Sequence, residues 1–191
     1  MRPFQLRRTV TIDEGKPIAV IVDLLMPRSA KFNKNVPPLM MGLAVQKIDG
    51  GEVAMTSYVE TKIAGKMPDG RNNELQLRVA SIPALLVMKG YAINGRDKHK
   101  DAYDIFFSVQ NFDGGPAALA EACRHLLSDP IALTAFRYVA EKFKDVNSYG
   151  PATVRDFLIG HEALEDQTPA QLQNQVFFVV KEWIDALGIK P

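Results

Sequence analysis

The period of apolar positions along the chain changes near residue 80. Upstream of that point it is short. Phe4, Leu6, Val10 and Ile12 alternate imperfectly with Gln5, Arg7, Thr9 and Thr11, as in a strand with one covered face. Asp13-Glu-Gly-Lys16 reads as a turn. Ile18-Ala-Val-Ile-Val-Asp-Leu-Leu25 is an apolar run of strand length and predicts an inner strand over residues 17–25, covered on both faces. Residues 26–41, rich in proline and asparagine, read as an irregular loop. Asp49-Gly-Gly51 lies between Leu43–Ile48 and Glu52–Tyr58 and predicts a hairpin, and Glu74–Val79 predicts a further short strand.

Downstream the period becomes helical. Ser81 is placed to cap a helix running to about Asn94, with Gly95 as its stop. A second helix is predicted from about Lys98 to Gln110, ending before Asp113-Gly-Gly-Pro116. Further helices are predicted over Pro116–Leu127, Pro130–Phe143 and Gly150–Leu158. The last, Pro169–Leu187, sets Leu172, Val176, Val179, Val180, Trp183, Ile184 and Leu187 on one stripe. Strands first and helices after imply an α+β fold. The expectation is a mixed β-sheet over 1–80 and a helical bundle over 81–191, packed as one globular unit.

Composition narrows the picture modestly. The 191 residues are 47% hydrophobic and 24% charged, enough to bury a core. A net charge of +1 gives no global field for nucleic acid, although Arg2, Arg7 and Arg8 cluster locally, as do Arg96, Lys98, His99 and Lys100. A single cysteine, Cys123, excludes an internal disulfide and points to an intracellular, cytoplasmic protein. His99, His125 and His161 lack zinc-ligand spacing with it. No apolar run reaches the length of a membrane span, and the N-terminus shows no export signal, so no membrane partner is expected.

Isolated charges in apolar segments mark the candidate chemistry, because a buried charge is costly unless it is paired or used. Asp23 is the sole charge in its strand. It is placed either to hold a metal ion or act as a base, or to face solvent at the strand end. Lys89 is the only charge between Val79 and Gly95, and either snorkels to the surface or binds an anion in a pocket. Asp101 and Asp104, three residues apart, share a face of the next helix with Ser108. Their strip meets water, a metal, or cations such as Lys89, Arg96 and Lys100. A purely structural ion-pair cluster between the two helices is the alternative.

The order of these residues carries a resemblance. A strand ending Val-Asp23-Leu-Leu is followed, after a loop, by Val-Ala-Ser-Ile-Pro-Ala-Leu-Leu-Val-Met-Lys89-Gly-Tyr-Ala and then Gly-Arg96-Asp-Lys-His-Lys100-Asp101-Ala-Tyr-Asp104-Ile. Over about residues 16–160 this resembles the nucleotidyltransferase family that includes toxins of abortive-infection toxin–antitoxin systems, with a polymerase-beta-like catalytic fold. The resemblance implies a metal role for Asp23 and catalytic roles for Asp23, Lys89 and Asp101. It implies nucleoside triphosphate binding by Lys89, Arg96 and Lys100, support from Asp104, and Mg2+ as cofactor. The family's Gly-Ser and Asp-x-Asp front, which supplies the first two metal ligands, is absent upstream of Asp23. The expectation is therefore a nucleotidyltransferase-like chain with an incomplete metal site. It would be inactive alone, or part of a larger or split enzyme that transfers nucleotides to RNA or protein, with an antitoxin, a complementing chain or a second copy as partner.

Two other readings compete. One is a non-catalytic nucleotide- or partner-binding module. The other is a metal-dependent nuclease, from Asp23 followed by Glu60-Thr-Lys62.

Overall fold

The structure is a computed structural model that describes residues 2–11, 17–31, 44–67, 69–161 and 167–190. The fold is α+β, with strands in the N-terminal half and helices in the C-terminal half. It divides into two compact units, Met1–Glu52 and Val53–Pro191.

In the first unit, β1 (Gln5–Thr11) and β2 (Pro17–Asp23) form an antiparallel ribbon, in register from Gln5↔Asp23 to Thr11↔Pro17. The expected inner strand is thus corrected. Among the described residues β2 has one strand neighbour, and all seven of its residues are exposed, Ile21 at 55%. An apolar run records what a strand could bury, and a two-stranded ribbon supplies no second layer to bury it. The turn expected at 13–16 and the loop beyond residue 31 lie outside the described residues. β3 (Leu25–Pro27) pairs in parallel with β4 (Gln46–Ile48). Among the described residues the strands form three two-stranded sheets, where one mixed sheet was expected.

The hairpin expected at Asp49-Gly-Gly51 is also corrected. Gly50 takes φ 77° and turns the chain out of β4, and a short helix, α1 (Gly51–Thr56), begins at once. Gly51 packs against Pro27, where an added Cβ would lie 3.2 Å from the Pro27 Cα. Asp49 pairs with Arg28, and Glu52 Oε1 accepts from the Ser29 amide and hydroxyl.

The second unit opens with a long antiparallel hairpin, β5 (Tyr58–Lys66) and β6 (Asn72–Ala80), in register from Tyr58↔Ala80 to Lys66↔Asn72. Only the β6 half was expected. The unread signal was Pro68-Asp-Gly70, since Pro-Asp-Gly is a turn sequence and Gly70 takes φ 83° at the tip.

The helical body follows, and here the expectations hold. α2 (Ile82–Gly95) starts at Ser81, whose Oγ accepts from the Ala84 amide at 3.3 Å. α3 (His99–Gln110) and α4 (Gly115–Cys123) follow, the latter continuing as a 3-10 turn over Arg124–Ser128. α5 (Pro130–Lys142) is capped by Asp129, and α6 spans Tyr149–Gly160. α7 (Pro169–Leu187) opens with a capping box between Thr168 and Gln171 and ends at Gly188, φ 72°. Four of these helices carry proline at the first or second position, where its missing N–H costs nothing.

The core lies among these helices. Trp183 of α7 is fully buried and meets Phe136 of α5 edge-on at 5.6 Å. Tyr103 of α3 stacks on Phe157 of α6 at 4.8 Å. α2 meets α5 backbone to backbone, since a Cβ on Gly90 would lie 2.4 Å from the Ala135 carbonyl oxygen. Cys123 is buried, and burial pushes its thiol up to about 12, which leaves it a core residue rather than a nucleophile. Among the described residues no helix is long and apolar enough to cross a membrane.

Candidate functional site

The candidate site forms where α2 turns into α3. Lys89 and Arg96 are seven residues apart, two helical turns, so they fall on one stripe of α2 and its cap. The three-residue connection, Arg96–Lys98, folds α3 back beside that stripe and brings Asp101, in its first turn, against both cations.

Asp101 is the centre. Its side chain is 1% exposed. Lys89 Nζ donates to Oδ1 at 2.7 Å, and Arg96 donates from Nε to Oδ2 at 2.7 Å and from Nη2 to Oδ1 at 3.0 Å. The Arg96 contact is the two-pronged guanidinium–carboxylate pairing that fixes both planes. Lys89 also reaches Asp104 Oδ2 at 2.5 Å, and Lys100 donates to Asp104 Oδ1 at 2.6 Å. Burial pushes the Asp101 carboxyl up, but the hydrogen bonds and charges of Arg96 and Lys89 outweigh it and hold the group below its ordinary value. The Arg96 guanidinium is raised in return, chiefly by its hydrogen bond to Asp101.

Three cations therefore meet two carboxylates, leaving one positive charge in surplus. Exposure decides where that surplus lies. Lys89 is 18% exposed and spent on both carboxylates, whereas Arg96 and Lys100 are about half exposed. Arg96 Nη1 makes no hydrogen bond among the described residues. Arg96 lines a shallow recess of about 290 Å³ with Ile93, Asn94, Gly95, Asp97, Lys142 and Tyr149. Lys142 of α5 lies over the Tyr149 ring at 5.1 Å, and the Tyr149 hydroxyl donates to Asp97 Oδ1 at 2.7 Å. Burial first, and then the Asp97 acceptor, raise the Tyr149 hydroxyl above its ordinary value.

The structure thus brings together five of the sequence-predicted residues: Lys89, Arg96, Lys100, Asp101 and Asp104. Asp23 ends β2 in the first unit, where Oδ1 accepts from Gln5 Nε2 at 2.9 Å. Asp97, Lys142 and Tyr149 were missed. Asp97 has a local signal, beside Arg96 in the turn. Lys142 and Tyr149 come from distant helices and have none.

At the α2–α3 junction Asp101 and Asp104 are already engaged by cations, and Asp97 accepts from the Tyr149 hydroxyl. Among the described residues no group of three or more His, Cys, Asp or Glu side chains is placed to hold a metal ion. Glu60 and Lys62, the remaining residues of the nuclease pattern, sit on the exposed polar face of β5. Glu60 accepts from Gln76 at 2.9 Å, and Lys62 pairs with Glu74 at 2.8 Å. No protein-family model, curated protein or solved structure matches the chain.

Proposed function

We propose that the chain is a nucleotidyltransferase-like module that binds the phosphates of a nucleoside triphosphate at the α2–α3 turn and does not transfer the nucleotide by itself. The observation behind this reading is the Arg96 guanidinium, half exposed beside a buried carboxylate in a cluster with one positive charge in surplus. A buried carboxylate holds the guanidinium in a fixed plane through Nε and Nη2, and Arg96 lines a recess shared with Lys142. A guanidinium held in this way has lost its side-chain freedom before the ligand arrives, and a planar donor set suits phosphate. Lys89 acts here by positioning Asp101, and through it Arg96. Transfer lacks support because two of the three metal carboxylates that the resemblance implies are absent from this sequence, and a magnesium pair needs several anionic oxygens.

The test is equilibrium binding of labelled nucleoside triphosphates to the 191-residue chain across a salt series, alongside a transfer assay with magnesium and an RNA or protein pool. Saturable binding that weakens with salt is expected. Arg96→Ala and Lys142→Ala should each weaken it about tenfold, and Asp23→Ala should leave it unchanged. Absence of saturable binding overturns the reading. Robust transfer that disappears in Asp23→Ala overturns its non-catalytic part.

A further inference from the structure

The β5–β6 hairpin has nine paired positions and no bulge, and its outer edges carry no strand partner among the described residues. An open edge is a row of free N–H and C=O groups that templates another strand. The two edges differ in how they are protected. β5 carries Lys62, Lys66 and Gly65, features that discourage further pairing. β6 holds neither lysine nor proline.

The β6 segment Glu74-Leu-Gln-Leu-Arg78 is palindromic in chemistry about Gln76, with apolar residues on either side and opposite charges beyond them. We propose that β6 is a homodimer interface. Two copies pair antiparallel along their β6 edges with Gln76 on the two-fold axis, making a four-stranded sheet in the order β5-β6-β6-β5.

Charge complementarity argues for a second copy as the occupant and fixes the register. With Gln76 on the axis, Glu74 of each copy stands opposite Arg78 of the other, and Leu75 opposite Leu77. Shifting the register by one residue sets Leu75 against Gln76 and puts the two apolar faces on opposite sides. Shifting it by two sets Arg78 against Asn72 or Gln76 and loses both ion pairs. Within one copy Lys62 lies 2.8 Å from Glu74. Arg78 lies 3.6 Å from Glu60 and over the Tyr58 ring at 4.7 Å. Across the seam the row reads Glu60, Arg78, Glu74, so charges of opposite sign stay adjacent, which favours cross-strand pairing. On the other face Val59, Ile63, Leu75, Leu77 and Val79, each about half exposed, join those of the second copy into one continuous apolar surface. The interface is isologous and closes at two copies.

The test is sedimentation velocity over a dilution series of the full chain, with helix content followed by circular dichroism. The wild-type chain is expected to dimerise reversibly. Glu74→Arg and Arg78→Glu should each weaken the dimer about tenfold or more, because two attractive pairs become two repulsive ones. The double variant, which swaps the two charges, should dimerise as wild type does. Mixing the two single variants should restore association as a heterodimer, since position 74 of one then faces an opposite charge at position 78 of the other. Misfolding cannot produce that recovery. A wild-type chain that stays monomeric throughout, single variants that dimerise as tightly as wild type, or a mixture that shows no recovery would each overturn the proposal.

Discussion

The β5–β6 hairpin and the helical body draw on the same apolar residue types and meet different fates. Leu75, Leu77 and Val79 of β6 are 51%, 43% and 43% exposed, whereas Val176, Val180 and Trp183 of α7 are fully buried. Alternation along β6 is as clean as the stripe along α7, so the difference does not lie in the pattern. It lies in the presence of a second layer. α7 has α4, α6 and α3 against its stripe, while a two-stranded hairpin has nothing of its own to close over its apolar face. Pattern assigns a face, and stability comes only where another element meets it.

The comparison breaks most visibly if side-chain truncation costs the same in both regions. Trp183→Ala should remove about 3–5 kcal/mol of stability, read by chemical denaturation with circular dichroism. Leu77→Ala should stay within about 0.5 kcal/mol. Equal losses would mean that a further layer covers the hairpin face in solution, which edge-to-edge pairing of β6 does not by itself supply.

The ion-pair junction sharpens the contrast for charges. Asp101→Asn leaves Lys89 largely buried without its main partner. It should cost about 2–3 kcal/mol, less than for a fully buried pair because Arg96 is half exposed. The pH dependence follows from the direction of the shift. The folded carboxyl lies below its ordinary value of 3.8, so its stabilisation is fully present above that value and is lost as pH falls through the lower folded value. Denaturation midpoints at descending pH should show this loss in the wild-type chain and not in Asp101→Asn. Removal of a hairpin charge, as in Lys62→Ala, should cost well under about 1 kcal/mol, since Lys62 and Glu74 are both mostly exposed.

Glycines give the smallest and most local test. Gly90→Ala drives a methyl into the Ala135 carbonyl and should cost about 1–3 kcal/mol. Gly65→Ala in β5 meets open space and should be neutral, or stabilising by up to about 1 kcal/mol. Thermal midpoints of the two variants make the comparison directly.

Helix boundaries were legible in the sequence because their punctuation is local. Ser81, Asp129 and Thr168 accept from amides within three residues, and prolines mark four of the first turns. The α2–α3 junction was legible too, since Lys89 and Asp101 are isolated charges on apolar faces joined by a short turn. The inner strand over 17–25 was misread because apolar content reports capacity for burial rather than the layers available. Residues 51–56 were misread because Gly50 serves a strand end as readily as a hairpin. Lys142 and Tyr149 were invisible because their approach to Arg96 and Asp97 depends on how α5 and α6 pack, which no local spacing encodes.

The backbone contact at Gly90 also decides what can move. Sliding α2 along α5 by one residue, about 1.5 Å, would bring Lys89 or Tyr91 to the place where even a methyl does not fit. α2 is therefore a stator. Any rearrangement of the α2–α3 turn has to be absorbed by the three residues Arg96–Lys98, which swing as a short crank from an α2 held at Gly90, while Lys89 stays in place and sets the end of the stroke.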